Sequence, residues 1–142
     1  MAIELFCYNN DMNKGAFAVI INNNEVLLVR SSTNSQYINH WSFPGGVVDE
    51  GESLRAAAIR ESIEETGILC DPKELIVSSD NPQSDIVINI FRADYVSGDI
   101  TIDPNEIEEA GWFNLNDALT MPLAYSNKAI LLSLVEGSKI VH

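Results

Sequence analysis

Three glutamates, Glu61, Glu64 and Glu65, fall at i, i+3 and i+4 in a stretch free of Gly and Pro, a spacing that projects their carboxylates from one face of a helix. Like charges so placed repel, and a bound cation would recover the stability they cost. Oxygen-only ligation suits a hard ion, magnesium or manganese, and magnesium is commonly shared between one or two carboxylates and the phosphates of a substrate. The competing reading is a solvated acidic face. Against it stand apolar Ile63 inside the cluster, Arg60 directly before it, and the pair Gly45-Gly46 upstream, in a run from Gly45 to Ile68 that also carries Asp49, Glu50 and Glu52. A merely solvated face needs none of these.

The run resembles the Nudix box, G-x5-E-x7-R-E-U-x-E-E-x-G-U, where U is a bulky aliphatic residue. Gly46, Glu52, Arg60, Glu61, Glu64, Glu65, Gly67 and Ile68 match it with every spacing preserved, and one position departs, Ser62 in place of the first U. That position is normally packed beneath the helix, so the change bears on packing more than on chemistry. The likeness extends to the upstream hairpin, to Trp41-Ser42-Phe43-Pro44-Gly45 and to the later segment from Glu106 to Phe113.

What the resemblance implies is an α+β fold, an α/β/α sandwich whose mixed β-sheet lies between helices and whose box forms a loop-helix-loop. It also implies an activity, the metal-dependent hydrolysis of a nucleoside diphosphate linked to another moiety. Position by position, Glu61, Glu64 and Glu65 match the metal-binding carboxylates, with the carbonyl of Gly45 as a further ligand, and Arg60 matches the residue that holds loop and helix together through Glu52. The expected cofactor is Mg2+ or Mn2+. A diphosphate resists attack because its oxygens are negative, so a catalyst must neutralise charge, orient water and stabilise the leaving phosphate.

A carboxylate must also take the proton of the water, and Glu61 and Glu106 are the two candidates. Glu106 lies six residues before Trp112 in the acidic segment Glu106-Ile107-Glu108-Glu109, which can equally be read as a charged loop. Asn127 and Phe43 are the candidates for substrate contact. Asn127 resembles the base-reading asparagine of family members that remove oxidised guanine nucleotides, although those carry a second arginine where Arg30 is here followed by Ser31. It can also be an ordinary helix N-cap. Trp41 and Phe43 suit core or groove wall better than base stacking, and His40 and His142 are given no role.

Around these residues the chain must supply rigid elements. Ala16 to Ile21 and Val26 to Val29 flank Asn22-Asn23-Asn24 and predict a β-hairpin. A polar loop from Ser31 to about His40 leads to a short aromatic strand, Trp41-Ser42-Phe43, stopped by Pro44-Gly45-Gly46. Ser53 to Thr66 predicts a helix capped by Ser53 and ended by Gly67, with Leu54, Ala57, Ala58 and Ile59 as its apolar pattern. Beyond it, Leu75-Ile76-Val77, the alternating Ile86, Ile88 and Ile90, and Trp112-Phe113 predict strands, and Asn127 to Glu136 an amphipathic helix. The 142 residues, 46% of them apolar, suffice for one domain over 1–142.

The charge balance narrows the partners. Against 8 Lys and Arg stand 21 Asp and Glu, a net charge of -13, which repels a nucleic-acid backbone or an anionic membrane. A small nucleotide is therefore expected and polymeric nucleic acid is not; a homodimer is left open. Cys7 and Cys70 make neither a disulfide framework nor a zinc site, Glu4 and Asp11 stand where a secretory signal would be basic, and no apolar run approaches the roughly 18 residues of a membrane span. A cytoplasmic enzyme is the resulting expectation. A Nudix-like module that binds or senses a nucleotide without cutting it is the alternative; the presence of all three box-helix glutamates favours the enzyme.

Overall fold

The structure is a computed structural model that describes residues 14–31, 37–81 and 86–140. Glu4, Cys7, Asp11 and His142, together with residues 32–36 of the polar loop, lie outside the described residues.

The first hairpin joins β1 (Lys14–Asn22) to β2 (Glu25–Ser31), with Ile21 opposite Val26 and Asn22 opposite Glu25. Asn23 turns the chain at φ 57°, a left-handed conformation that asparagine tolerates better than most residues. Beyond this register the two strands separate. Into the gap run β3 (Trp41–Ser42), paired with β2, and β4 (Gly45–Val47), paired with β1. The Ala18 amide donates to the Pro44 carbonyl at 3.0 Å, so the wedge is held at its middle as well as at its ends.

Downstream, β5 (Leu69–Asn81), β6 (Ile86–Ser97) and β7 (Ile107–Asn114) complete a sheet in the order β3-β2-β1-β6-β5, with β7 on β2 and β4 on β1. The β1–β6 pair is parallel and the others are antiparallel, so the sheet is mixed and open. The strand expected at Leu75-Ile76-Val77 extends in both directions as one long strand, β5. Its register shifts at Pro72, but β5 is the sheet edge, where a residue without an N–H is tolerated.

Strand alternation sorts the core into two layers. Ala16, Ala18 and Ile20 of β1, Leu27 of β2 and Phe91 and Ala93 of β6 face one side, where they meet Ala57 and Ala58 of α1 (Leu54–Thr66). Phe17, Val19, Ile21, Val26, Leu28 and Ile90 face the other, where they meet Ala118 of α2 (Leu115–Ala118) and Ile130, Leu131 and Leu134 of α3 (Asn127–Ile140). Helices thus cover both faces of the sheet. Among the described residues, no helix is long and apolar enough to cross a membrane.

The helix α1 carries the acid cluster, and its ends are set by the expected residues. Ser53 Oγ accepts from the Ala56 amide at 3.1 Å, and Gly67, at φ 74°, adopts the left-handed conformation that ends a helix and donates its amide to Ile63. The buried side of α1 is small and partly polar: Ala57, Ala58, Ser62, Glu65 and Thr66. Ser62, the departure from the box, is fully buried and donates its hydroxyl to the Ile68 carbonyl at 2.8 Å, while Thr66 Oγ1 donates to the Ser62 carbonyl at 2.7 Å. Hydrogen bonds to the end of the helix replace the expected aliphatic packing. Ser62→Ala should leave that carbonyl short of a donor and lower stability by about 1–3 kcal/mol. An unchanged urea midpoint would contradict this.

Candidate active site

Gly45 and Gly46, in β4 ahead of α1, each leave room for something specific. A Cβ on Gly45 would stand 2.4 Å from the Ala16 carbonyl oxygen, so only glycine lets β4 lie this close to β1. A Cβ on Gly46 would stand 2.7 Å from the carboxyl carbon of Glu61. The Gly45 amide donates to Glu65 Oε1 at 3.0 Å. Thus the wedge strand presents its backbone to Glu65 and its missing side chain to Glu61.

Arg60 ties the remaining loop to the helix. Its Nε and Nη2 donate to the two oxygens of Glu52 at 2.8 and 3.0 Å, a bidentate fork, and Nη2 also donates to the Val47 carbonyl at 3.1 Å. Nη1 donates to Glu61 at 3.0 Å and Glu64 at 3.1 Å, and Asp49 lies 3.5 Å from Nη2. The hydrogen bond from Arg60 holds the Glu52 carboxyl below its usual range, and the bond to Glu52 raises the Arg60 pKa in turn. Glu52 Oε1 further accepts from the Asp49 amide at 3.0 Å.

The acid cluster is electrostatically strained. Burial pushes Glu65 up to about 8 despite the hydrogen bond from Gly45, and the negative charges of Glu61, Glu106 and Glu64 add to the rise. Burial also raises Glu61; Arg60 opposes this, while Glu64 and Glu106 reinforce it. Glu106, on the turn before β7, is therefore close enough for its charge to act on both box carboxylates. Its place is set by the Asp103 turn, with the Glu106 amide donating to the Asp103 carbonyl at 3.0 Å, and by Ser31 Oγ, which donates to the Glu106 carbonyl at 3.3 Å.

The tertiary structure thus brings Gly45, Arg60, Glu61, Glu64, Glu65 and Glu106 into one neighbourhood. Among the described residues, no three acidic, His or Cys side chains close on a single point as a ready-made ion cage, because Glu61 and Glu64 lean on Arg60. The two candidates for substrate contact lie away from this cluster's polar contacts. Phe43 is 2% exposed and packs with Val19, Leu28 and Leu131 in the second core layer, in keeping with the reading of Phe43 as core. Asn127 is not the N-cap of α3: the Ile130 amide bonds to the Ser126 carbonyl, which makes Ser126 the cap and Asn127 a buried first-turn residue. No hydrogen bond or ion pair among the described residues joins Asn127 to the acid cluster.

Some partners were not anticipated from sequence. Arg30 donates to Glu108 at 2.7 Å, Glu109 at 3.0 Å and Asn39 at 3.1 Å, bracing the acidic segment against the end of β2. The signal for it was the cross-strand register of Arg30 with Glu109, which no local pattern reveals.

This geometry agrees with comparison against known proteins. The NUDIX domain family matches residues 12–134, and the chain belongs to that family. It is 35% identical over 104 residues to the NAD-capped RNA hydrolase NudC of Shigella flexneri, covering 73% of this chain and 40% of that protein. The NudC of Citrobacter koseri is 39% identical over 77 residues, 54% of this chain and 30% of the relative. The chain spans less than half the length of these relatives. Among solved structures, the MutT NUDIX hydrolase of Burkholderia pseudomallei is 29% identical with a TM-score of 0.72, covering 84% of this chain and 95% of the other. The MutT protein of Methanosarcina mazei is likewise 29% identical, with a TM-score of 0.73 over 89% of this chain and 95% of its own.

The raised carboxyl of Glu65 has a consequence for stability. The folded state holds its proton up to about 8 while the unfolded chain loses it near 4.5, so between these pH values folding takes up a proton. The Glu65 contribution to stability should accordingly be fully present below 4.5 and be lost as pH rises toward about 8. Without added metal, Glu65→Gln should flatten this decline and melt several degrees above the parent at pH 8, a shift on the order expected for ~1 kcal/mol in a domain of this size. Parallel melting-temperature profiles for the two proteins would refute it.

Proposed function

We propose that this chain is a divalent-metal-dependent nucleotide pyrophosphohydrolase, cleaving the phosphoanhydride of a nucleoside diphosphate linked to another moiety. The observation that carries the reading is Glu65, a carboxylate buried against the Gly45 amide and crowded by three further carboxylates. Such crowding disfavours the fold on its own and is relieved by a hard cation. The donor set fits Mg2+ or Mn2+: Glu61, Glu64 and Glu65 offer oxygen, the Gly45 carbonyl can add another, and no soft donor stands beside them among the described residues. Bound there, the metal would neutralise phosphate charge and make water more acidic.

The protein groups supply the rest. Arg60 keeps the loop and helix in register through Glu52, and its Nη1 orients Glu61 and Glu64. Glu61 or Glu106 takes the proton of the attacking water; Glu61 is half-buried with its basicity raised, and Glu106 approaches from the opposite loop. A binding module that does not cut would have no need of a full set of box carboxylates held in this way.

The substrate we favour is a small nucleotide. The name of the NudC relatives points to the diphosphate of an NAD cap, whereas a charge of -13 opposes the body of an RNA. NAD, ADP-ribose, sugar nucleotides, dinucleoside polyphosphates and nucleoside triphosphates form the panel to assay, with an NAD-capped RNA as the polymeric control. A cytoplasmic setting accords with such substrates.

Hydrolysis should require added magnesium or manganese and stop with a chelator; full turnover in metal-free buffer would remove the metal from the scheme. Glu65→Gln keeps side-chain size and should lower turnover on the order of a hundredfold or more with the fold retained by circular dichroism. Glu50→Gln is the control, since Glu50 is exposed and at an unspecified box position. Parent rates in both folded variants would displace the site from α1.

A further inference from the structure

We propose that Arg30 is a positioning residue for the hydrolysis: it clamps a bulge at the start of β7 and so holds Glu106 toward the carboxylates of α1, without touching the reacting groups itself. The inference rests on reading the acid cluster as a phosphoanhydride-cleaving site, and it adds what aims the acid that comes from outside the box.

Arg30 stands opposite Glu109 and Ser31 opposite Ile107, so one step along β2 is met by two along β7, and Glu108 is the extra residue of a bulge. Residues opposite each other in an antiparallel pair share a face of the sheet, and neighbours along a strand alternate. Arg30 is therefore on the face of Val26 and Leu28, which α2 and α3 cover, and its Cζ lies 5.8 Å from the centroid of the Trp41 ring. Ser31 is on the face of Leu27, which α1 covers, and buried Ile107 opposite it shares that face. In a regular strand Ile107 and Glu109, two residues apart, would lie on one face. The bulge sends them to opposite faces and turns the entry of β7 toward α1.

Such a bulge interrupts the ladder and brings the like charges of Glu108 and Glu109 together, so it needs a cation to hold it. Arg30 is that cation: Nη1 donates to Glu108 and Nη2 to Glu109, and Nη1 also donates to Asn39. A planar guanidinium fixes the two carboxylates in direction as well as distance, which an ammonium cannot do. Glu106, just upstream, takes its place from this clamp. Its amide donates to the Asp103 carbonyl, and its carbonyl accepts from Ser31 Oγ, next to Arg30 along β2. Among the described residues, neither a hydrogen bond nor an ion pair holds the Glu106 carboxylate, so its position follows from its backbone. Its charge nevertheless acts on Glu61 and Glu65. A reacting group held only through its backbone moves with that backbone, and a displacement of about 1 Å can cost on the order of a hundredfold in rate.

The test is a mutant cycle on the best substrate of the panel at saturating magnesium. Arg30→Met keeps an apolar stem against Trp41 and releases Glu108 and Glu109, already 47% and 57% exposed, into water, so the fold should survive. It should lower kcat roughly tenfold with KM within about twofold of the parent. Glu106→Gln should lower kcat about a hundredfold, and adding Arg30→Met to it should cost no more than about twofold further, because Arg30 acts through Glu106. Should Arg30→Met fail to fold by circular dichroism, Glu108→Gln combined with Glu109→Gln, which removes the partners and keeps Arg30, takes its place in the cycle. A raised KM at parent kcat in Arg30→Met would make Arg30 a substrate contact, and losses that multiply in the combined variant would make it a general support. Either result overturns the proposal, as does a parent kcat in Glu106→Gln, while the hydrolase reading stands. If the parent hydrolyses nothing in the panel, that reading has failed, and amide hydrogen exchange at Glu106 and Ile107, followed by NMR, decides the clamp. Exchange about fivefold faster or more in Arg30→Met supports it; equal protection overturns it.

Discussion

The fork between Arg60 and Glu52 is the constraint from which the site follows. The loop between β4 and α1 has little apolar material of its own: Val48 is buried, while Val47, Asp49, Glu50 and Gly51 are exposed. Packing alone would leave such a loop poorly specified. A planar guanidinium with two bonds to one carboxylate and a third to the Val47 carbonyl fixes both its distance and its orientation to the helix. The same cation then has Nη1 left for Glu61 and Glu64, so one side chain sets the loop and aims the helix carboxylates.

The fork acts on parts that the sheet has already brought close. Because β1 and β2 separate after two paired positions, the wedge from Trp41 to Val47 enters between them, and its glycine end meets α1. The approach is tight since α1 turns alanines and Ser62 to the sheet, and larger side chains there would lift the helix away from Gly45 and Gly46. Close packing on one face of the sheet is thus a condition for the acid cluster to meet the glycine loop at its edge.

Glu65 weakens the fold that holds it. The carboxyl group is largely buried, and among the described residues the negative charges of Glu61, Glu106 and Glu64 act on it while the Gly45 amide opposes them. A fold selected for stability alone would put an uncharged residue there. Local departures of this kind gather at functional sites, where the surrounding structure makes up for them.

Much of this was legible in the chain itself, because the signals were local. Ser53 and Gly67 bounded α1 since capping depends on adjacent residues, the asparagine run turned the first hairpin, and the spacing of Glu61, Glu64 and Glu65 put them on one helical face. Family membership was legible for the same reason, in a motif of fixed spacing. Features that depend on contacts between distant segments were not. Pro72 obscured β5, since only the sheet order shows that this strand is an edge. Phe43 belongs to the core because the wedge turns it inward against β1 and α3, and Asn127 lies one residue inside a helix whose cap is Ser126. Ser62 fits where an aliphatic residue is expected because the Ile68 carbonyl, six residues on, returns to accept its hydroxyl. The residue types fixed which chemistry was available, and tertiary structure decided which of them meet, since burial, strand register and long-range hydrogen bonds arise only when remote parts of the chain are packed together.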